Sequence, residues 1–300
     1  GDLLIIPGLR YDRYVSSSSL AANDTKDDAL SPRLGLSYLP TDWSMLFVNY
    51  AEAFRAPTFD ELYLTGVHFQ IPIGPGITNR FVPNPDLKPQ TTQTVEFGAG
   101  LDFDSVIEPN DRFQVKASHF RVWGEDFIDL SVNQPAPFVA CNPFIPGACD
   151  GTTTSSNVPK AKLWGTEVEA SYDTARLRLT AGFSTVDGEN RKTGDKLGVL
   201  TPSQVSLDTM VKVPEVDSLA GWRVIAADDF DKVNDPVDKR DGYVVHDFYF
   251  AWQPNQDALR GLRVDLGIDN AFDRDYSRVF TDAPEPGRNF KALLSYAVSW

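Results

Sequence analysis

Histidine and cysteine are scarce in this 300-residue chain, which holds three of the first and two of the second. With so few soft ligands and no histidine beside either cysteine, the pair makes a poor zinc site. No apolar run approaches the ~20 residues of a spanning helix, so a helical membrane protein is excluded, whereas a β-barrel is not, because its strands alternate and give little hydropathy signal. Positive charge is also in deficit: 28 Lys and Arg against 42 Asp and Glu leave a net charge of -14, which repels phosphate backbones and argues against nucleic acid as a partner. The plainer effect of that acidity is to keep long loops soluble. No nucleophile elbow, phosphate-binding glycine loop or His-Glu-x-x-His pair occurs, so nothing points to an enzyme. Asp126 with Asp129 and Asp228 with Asp229 read as acidic dressing of strands and loops, and the acidic run over 228–241 lacks EF-hand spacing for calcium. The opening Gly1-Asp2-Leu3-Leu4-Ile5-Ile6-Pro7 has no basic region or cleavage site and begins in a strand-like run, as expected of the C-terminal part of a longer protein.

What is present is enough apolar and aromatic content (42% and 12%) to build ordered structure. The two cysteines, Cys141 and Cys149, flank a segment with two prolines and a glycine that brings its ends together. A disulfide there closes a small loop, contributes about 2.5 kcal/mol on the chain-entropy model, and implies an oxidising compartment. A pair of free thiols is the alternative.

Period-two alternation recurs throughout. Leu262, Val264, Leu266 and Ile268 oppose Arg263, Asp265, Gly267 and Asp269, and Phe290, Ala292, Leu294, Tyr296, Val298 and Trp300 share one face. About twelve such segments are expected, near 3–15, 31–39, 42–53, 91–103, 111–131, 160–173, 175–185, 202–213, 220–230, 243–253, 261–269 and 288–300. The connections alternate between short, such as Pro40-Thr41-Asp42, and long, at 16–30, 54–90, 132–159, 186–201, 231–242 and 270–287. An outer-membrane barrel places short turns on the periplasmic side and long loops outside, whereas a soluble propeller, jelly roll or other β-rich binding module has no reason to keep that phase. The pattern predicts an all-β transmembrane antiparallel β-barrel wall over residues 1–300, with long extracellular loops near 54–90 and 132–159. Trp43 to Tyr50 is apolar on both faces, as expected of a wall with lipid outside and a plug within. Segments 3–15 and 288–300 would be edges, which hydrocarbon does not tolerate, so they must pair with further strands.

Two boxes stand out in the 54–90 stretch: Phe54-Arg55-Ala56-Pro57 and Asn84-Pro85-Asp86-Leu87, with His68 between them. The arrangement resembles the FRAP–His–NPNL signature of TonB-dependent outer-membrane receptors for haem, haemoglobin and haemophores. Ten residues separate Pro57 from His68, as in that pattern; fifteen separate His68 from Asn84, more than the pattern has, and Asp86 replaces its asparagine. Asn270-Ala271-Phe272-Asp273-Arg274-Asp275-Tyr276 is similar to the N-x-F-D-x-x-Y segment before the last strand of these receptors, and the aromatic terminus at Trp300 resembles their assembly signal. The resemblance implies the last dozen or so strands of a 22-strand barrel whose N-terminal plug lies outside this chain. It also implies bacterial outer-membrane localisation, coupling to TonB through that absent region, and haem, delivered free or by haemoglobin or a haemophore, as the transported ligand.

On this reading His68, in a long Gly/Pro-rich loop, is the axial haem ligand, because a loop imidazole reaches a ligand that a strand imidazole usually does not. Val67, Phe69, Ile71 and Tyr63 are candidates to pack on the porphyrin, and Arg55, Arg80 and Lys88 to meet its propionates. Phe54, Ala56 and Pro57 are expected to shape the strand–loop junction, and Asn84 to Leu87 to form a rigid turn that presents the loop. His119 reads as a wall residue and His246 as part of an aromatic belt. A second haem ligand would come from the plug. Receptors for a ferric siderophore or another nutrient carry similar boxes and are the alternative within transport.

Overall fold

The computed structural model describes residues 1–17, 25–198, 200–279 and 283–297. Val298 and Trp300, the expected end of the terminal apolar face, lie outside the described residues.

Among the described residues, fourteen strands form one sheet: β1 (Asp2–Ser16), β2 (Thr25–Thr41), β3 (Ser44–Arg55), β4 (Gly66–Ile71), β5 (Ile77–Phe81), β6 (Gln90–Asp104), β7 (Arg112–Asn133), β8 (Gly151–Asp173), β9 (Leu177–Asn190), β10 (Gln204–Val213), β11 (Ser218–Ala227), β12 (Tyr243–Trp252), β13 (Leu262–Asp269) and β14 (Asn289–Tyr296). One α-helix, α1 (Phe59–Tyr63), precedes β4. Twelve strands run in sequence order, β1-β2-β3-β6-β7-β8-β9-β10-β11-β12-β13-β14, each antiparallel to the next, and each overlaps one of the twelve expected segments, with β2, β8 and β9 extending well beyond theirs. The remaining two, β4 and β5, form a hairpin off this path, with β5 running parallel to the start of β8. The wall is open among the described residues, with β1 and β14 as its edges and every residue of β14 exposed.

The two faces of the wall differ in chemistry. Following the register across the strands, one row reads Leu3, Tyr38, Leu46, Ala99, Ala117, Val168, Phe183, Val205, Ala226 and Val244, apolar throughout. The adjacent row, one residue along, points to the other face and includes Ser37, Gly98, Ser118, Glu167, Ser184 and Gln204. Leu46 is 53% exposed and Val205 49% exposed, so the apolar face has nothing of its own to pack on. A continuous exposed apolar face of this extent belongs in hydrocarbon, and it removes the soluble-module alternative. Salt bridges such as Arg223–Asp208 (3.1 Å) and Arg178–Asp173 (2.7 Å) cross between neighbouring strands or link strand to turn.

Three connections are shorter than expected. β1 and β2 pair up to Ser16↔Thr25, inside the expected 16–30, and β9 runs to Asn190, inside the expected 186–201. The 132–159 stretch is not all loop: β7 and β8 continue pairing up to Asn133↔Thr152, which leaves 134–150 as the connection. At ~3.3 Å per residue, strands of 22 and 23 residues far exceed the ~30 Å hydrocarbon core, so their upper parts stand in water. Polar on both sides, the Thr152–Ser156 run therefore lacked the alternation that marks a membrane-spanning strand. On the second apolar face of Trp43 to Tyr50, Phe47 packs within the wall. Its ring is buried against Gly98, where a Cβ would stand 2.5 Å from the ring, and Lys116 Nζ lies 5.2 Å from the ring centroid.

The short turns are tightly built. In the β6–β7 turn, Asp111 accepts from the backbone N–H groups of Val106, Ile107 and Glu108 at 2.6–2.9 Å and from Tyr172 Oη at 2.7 Å. Burial alone would raise its pKa, but the Tyr172 hydroxyl and the three backbone N–H groups together hold it down at about 2.

Candidate ligand-binding site at His68

Three local devices carry the chain from β3 to His68. Pro57 is buried where β3 ends, and Thr58 then caps α1 with a full capping box: its Oγ1 accepts from Glu61 N (3.3 Å) while Glu61 Oε2 accepts from Thr58 N (2.8 Å). Arg55 Nη1 donates to both Glu61 oxygens at 3.0 and 2.9 Å, and Nη2 reaches Gln90 Oε1 at 3.3 Å. Burial pushes Glu61 up, but the Arg55 guanidinium and the Thr58 contacts outweigh it and hold the carboxyl below its ordinary value. Arg55, expected as a propionate contact, thus has its charge balanced by Glu61 and braces the helix. Beneath α1, Leu62 and Tyr63 pack with Leu87 and Ile128 in a small buried core. Burying a leucine fully contributes about 1.5–3 kcal/mol, enough to hold so short a helix against the wall. Tyr63, expected to line a porphyrin, is part of that core.

The second box closes the same unit. Asn84 N donates to Leu62 O (2.9 Å), and Asn84 Nδ2 to Ser155 O (2.9 Å) on β8. Thr25 Oγ1 donates to Pro85 O (3.3 Å), and Lys88 exchanges two backbone bonds with the Asn157 amide, both at 2.9 Å. Asn84, Pro85, Asp86 and Leu87 therefore form the expected rigid turn, and Phe54, Arg55, Ala56 and Pro57 its counterpart at the other end.

Between the boxes, His68 lies in a strand and not in an irregular loop, correcting the expectation. It still reaches outward, because β4 belongs to the off-wall hairpin and because of a bulge. Val67 pairs with Arg80 and Phe69 with Asn79, so His68 is the extra residue that breaks the alternation. The imidazole is exposed; its Nδ1 lies 2.9 Å from Thr153 Oγ1, and its ring packs 4.5 Å from Phe81 and 5.0 Å from Phe69, centroid to centroid. With Nδ1 engaged, Nε2 is the nitrogen offered to a ligand. Arg80 is exposed and, by strand alternation, projects from the face of β5 opposite Asn79 and Phe81, so it is not brought beside the His68 ring. Val67 is exposed; Ile71 and Phe69 are half-buried.

The Cys141–Cys149 disulfide is formed, with Cα atoms 5.4 Å apart, and its loop lies on the hairpin: a Cβ at Gly74 would stand 2.6 Å from Pro143 O. Asp150 Oδ1 accepts from Thr78 N at 2.8 Å. His119 sits in the wall, 3.0 Å from Thr166 Oγ1, and His246 accepts from Trp222 Nε1 at 3.0 Å and meets Phe272 at 5.0 Å. Neither comes near His68 through any described contact. Within the segment 270–276, Asn270 is buried and its side chain binds the backbone of Arg274 on both ends, at 2.8 Å each, so that motif builds a turn. Sequence reasoning missed Thr153, Asn79 and Gln134, whose only signal was a polar run with no alternation. No cluster of metal-ligating side chains occurs among the described residues.

Residues 1–271 match the family described as TonB dependent receptor-like, beta-barrel. The chain is 37% identical over 296 residues to the hemin receptor of Yersinia pestis, covering 97% of this chain and 41% of that protein. It is 32% identical over 308 residues to the heme/hemopexin utilization protein C of a Haemophilus influenzae strain, covering 98% and 41%. Among solved structures, the copper transporter OprC superposes with a TM-score of 0.74 at 21% identity, over 98% of this chain and 45% of that one. The Serratia marcescens hemophore receptor HasR, in complex with its hemophore HasA and heme, superposes at 0.63 and 16% identity, over 98% and 47%. At these identities the solved structures establish the fold alone. The chain thus spans 41% of the length of these two curated relatives. With its sequential antiparallel wall, exposed apolar face and family match, the chain belongs to the TonB-dependent receptor β-barrel family.

Proposed function

We propose that this chain is the C-terminal part of the barrel of an outer-membrane receptor that takes up haem, with His68 Nε2 as an axial ligand to the iron. The observation that carries this reading is an exposed imidazole set on a bulge, its Nδ1 tied to Thr153 and its hairpin clamped at both ends by the two boxes. Two of the relatives are named for hemin and for heme with hemopexin, and one structural neighbour holds a hemophore and heme. Haem here is cargo: a flat apolar ring that stacks on aromatic side chains and is held through its iron by a neutral imidazole. Phe69 and Phe81, both in ring contact with His68, supply the apolar wall. With Arg80 on the opposite face of β5, Lys88 is the remaining candidate propionate contact.

On this reading the long connections on the His68 side capture haem, free or from haemoglobin or a haemophore. A plug in the part of the protein outside this chain then rearranges when TonB pulls from the periplasm, so the protein transports and does not catalyse. The open edges at β1 and β14 are the surfaces on which the remaining strands of the cylinder pair. The test is a haemin titration of the complete receptor in detergent. His68→Ala is expected to weaken binding and shift the Soret band while leaving barrel assembly intact. An unchanged band and dissociation constant would remove His68 from the site and favour a siderophore or another nutrient.

A further inference from the structure

We infer that a relay of side chains, Gln134–Asn79–Thr153, sets the tautomer of His68 and so presents an unprotonated Nε2 to iron; the inference rests on the haem-ligand reading of His68 above.

The direction of every bond in the relay follows from its far end. Gln134 Nε2 lies 2.6 Å from Cys149 O, a backbone carbonyl that only accepts. The amide of Gln134 is thereby oriented, and its Oε1 is left to accept from Asn79 Nδ2 at 3.1 Å. Asn79 Nδ2 also faces Asn133 O at 3.4 Å, a second carbonyl that only accepts, so two independent groups fix the same orientation of Asn79. Asn79 Oδ1 must then accept, and it takes the Thr153 hydroxyl proton at 2.5 Å. A hydroxyl has one proton. With that proton spent on Asn79, Thr153 Oγ1 is an acceptor toward His68 Nδ1 at 2.9 Å, so Nδ1 carries the hydrogen and Nε2 the lone pair.

The relay is built, not incidental. Asn79 and Thr153 are fully buried and Cys149 nearly so, which shelters the central Thr153–Asn79 bond from competing water, while Gln134 at the far end is half-buried. The Cys141–Cys149 disulfide anchors the carbonyl at its origin. Gly151, beside Asn79 in the parallel β5–β8 pairing, has no room for a side chain: a Cβ would stand 2.4 Å from Asn133 O, 2.5 Å from Gln134 Oε1 and 2.8 Å from Asn79 Nδ2. Metal-bound histidines commonly donate their second N–H to such a partner, which fixes the ring and raises its basicity. Thr153, Asn79 and Gln134 are thus positioning residues, acting on haem through His68.

The experiment uses the complete receptor with 15N-labelled histidine, reading the His68 imidazole by difference against His68→Ala, together with haemin titrations. Wild type and Thr153→Ser, which keeps the hydroxyl, are expected to hold the Nδ1–H tautomer. Thr153→Val and Gly151→Ala, neither of which alters His68 itself, are expected to show mixed tautomers and haemin affinity lowered about tenfold. A single Nδ1–H tautomer in both disrupting variants overturns the inference. So does an affinity that falls in His68→Ala and stays at the wild-type value in both. Haemin affinity unchanged in all three variants, His68→Ala included, overturns instead the ligand reading on which the inference rests.

Discussion

Arg55 and Glu61 form a forked ion pair across the first turn of α1, with Nη1 3.0 and 2.9 Å from the two carboxylate oxygens. The pair makes a residue of the first sequence box a brace for the segment that carries His68. Arg55→Ala is expected to loosen the 56–89 segment and not the wall. Because the pair is partly exposed, the cost is small, about 0.2–1 kcal/mol. Limited proteolysis should show faster cleavage within this segment and an unchanged barrel core.

The same pair sets a pH dependence. Glu61 has its pKa held below the ordinary value of 4.5, so its contribution is fully present above that pH and is lost as pH falls through the lower, folded value. Cleavage of the segment should therefore accelerate below about pH 4.5 in wild type, and Glu61→Gln should cleave rapidly with no such acid step.

Asp111 gives a second acid-sensitive point at the opposite end of the wall. Held at about 2 against an ordinary 3.8, its carboxylate stabilises the β6–β7 turn above pH 3.8 and stops doing so as pH falls toward 2. Asp111→Ala removes the acceptor of three backbone N–H groups and of Tyr172. It is expected to lower the thermal unfolding midpoint at neutral pH and to flatten the loss of stability between pH 4 and 2, read by heat-modified gel mobility.

The wall row predicts a contrast between neighbours on β9. Phe183 belongs to the apolar row and Ser184 to the opposite face. Phe183→Arg is expected to destabilise the barrel by about 2–4 kcal/mol if it sits near the bilayer midplane. Ser184→Arg should cost far less. Folding yield into vesicles distinguishes them, and equal losses would mean that the lipid-facing side has been misassigned.

The disulfide should resist thiol labelling until reductant is added. Serine replacement of both Cys141 and Cys149 should release the 134–150 connection at a cost of up to about 2.5 kcal/mol. Labelling of both thiols without reductant would contradict the bond.

Much of this molecule was legible in advance because a half-lipid, half-polar strand must alternate: Leu262 to Asp269 and most of the other wall segments announce themselves by period two, with Trp43 to Tyr50 an exception. The alternation fades where lipid stops. Thr152 to Ser156 is polar on both sides because water surrounds it, so the sequence reads as loop although the backbone continues its ladder. The β4–β5 hairpin was hidden for another reason: Gly66–Ile71 and Ile77–Phe81 are short and set among glycines and prolines that read as loop, and no sequence signal marks the bulge that aims His68.

By itself the sequence determined the wall, the disulfide, and the histidine between two anchoring boxes, since each depends on residues close together in the chain or on a period. Only the tertiary structure decided what those residues touch. It matched Arg55 with Glu61, put Arg80 on the opposite face of β5 from Asn79 and Phe81, and brought Thr153 to His68 across 85 residues of chain. Hydrogen-bond direction depends on which donors and acceptors meet in space, and neither composition nor periodicity encodes that meeting.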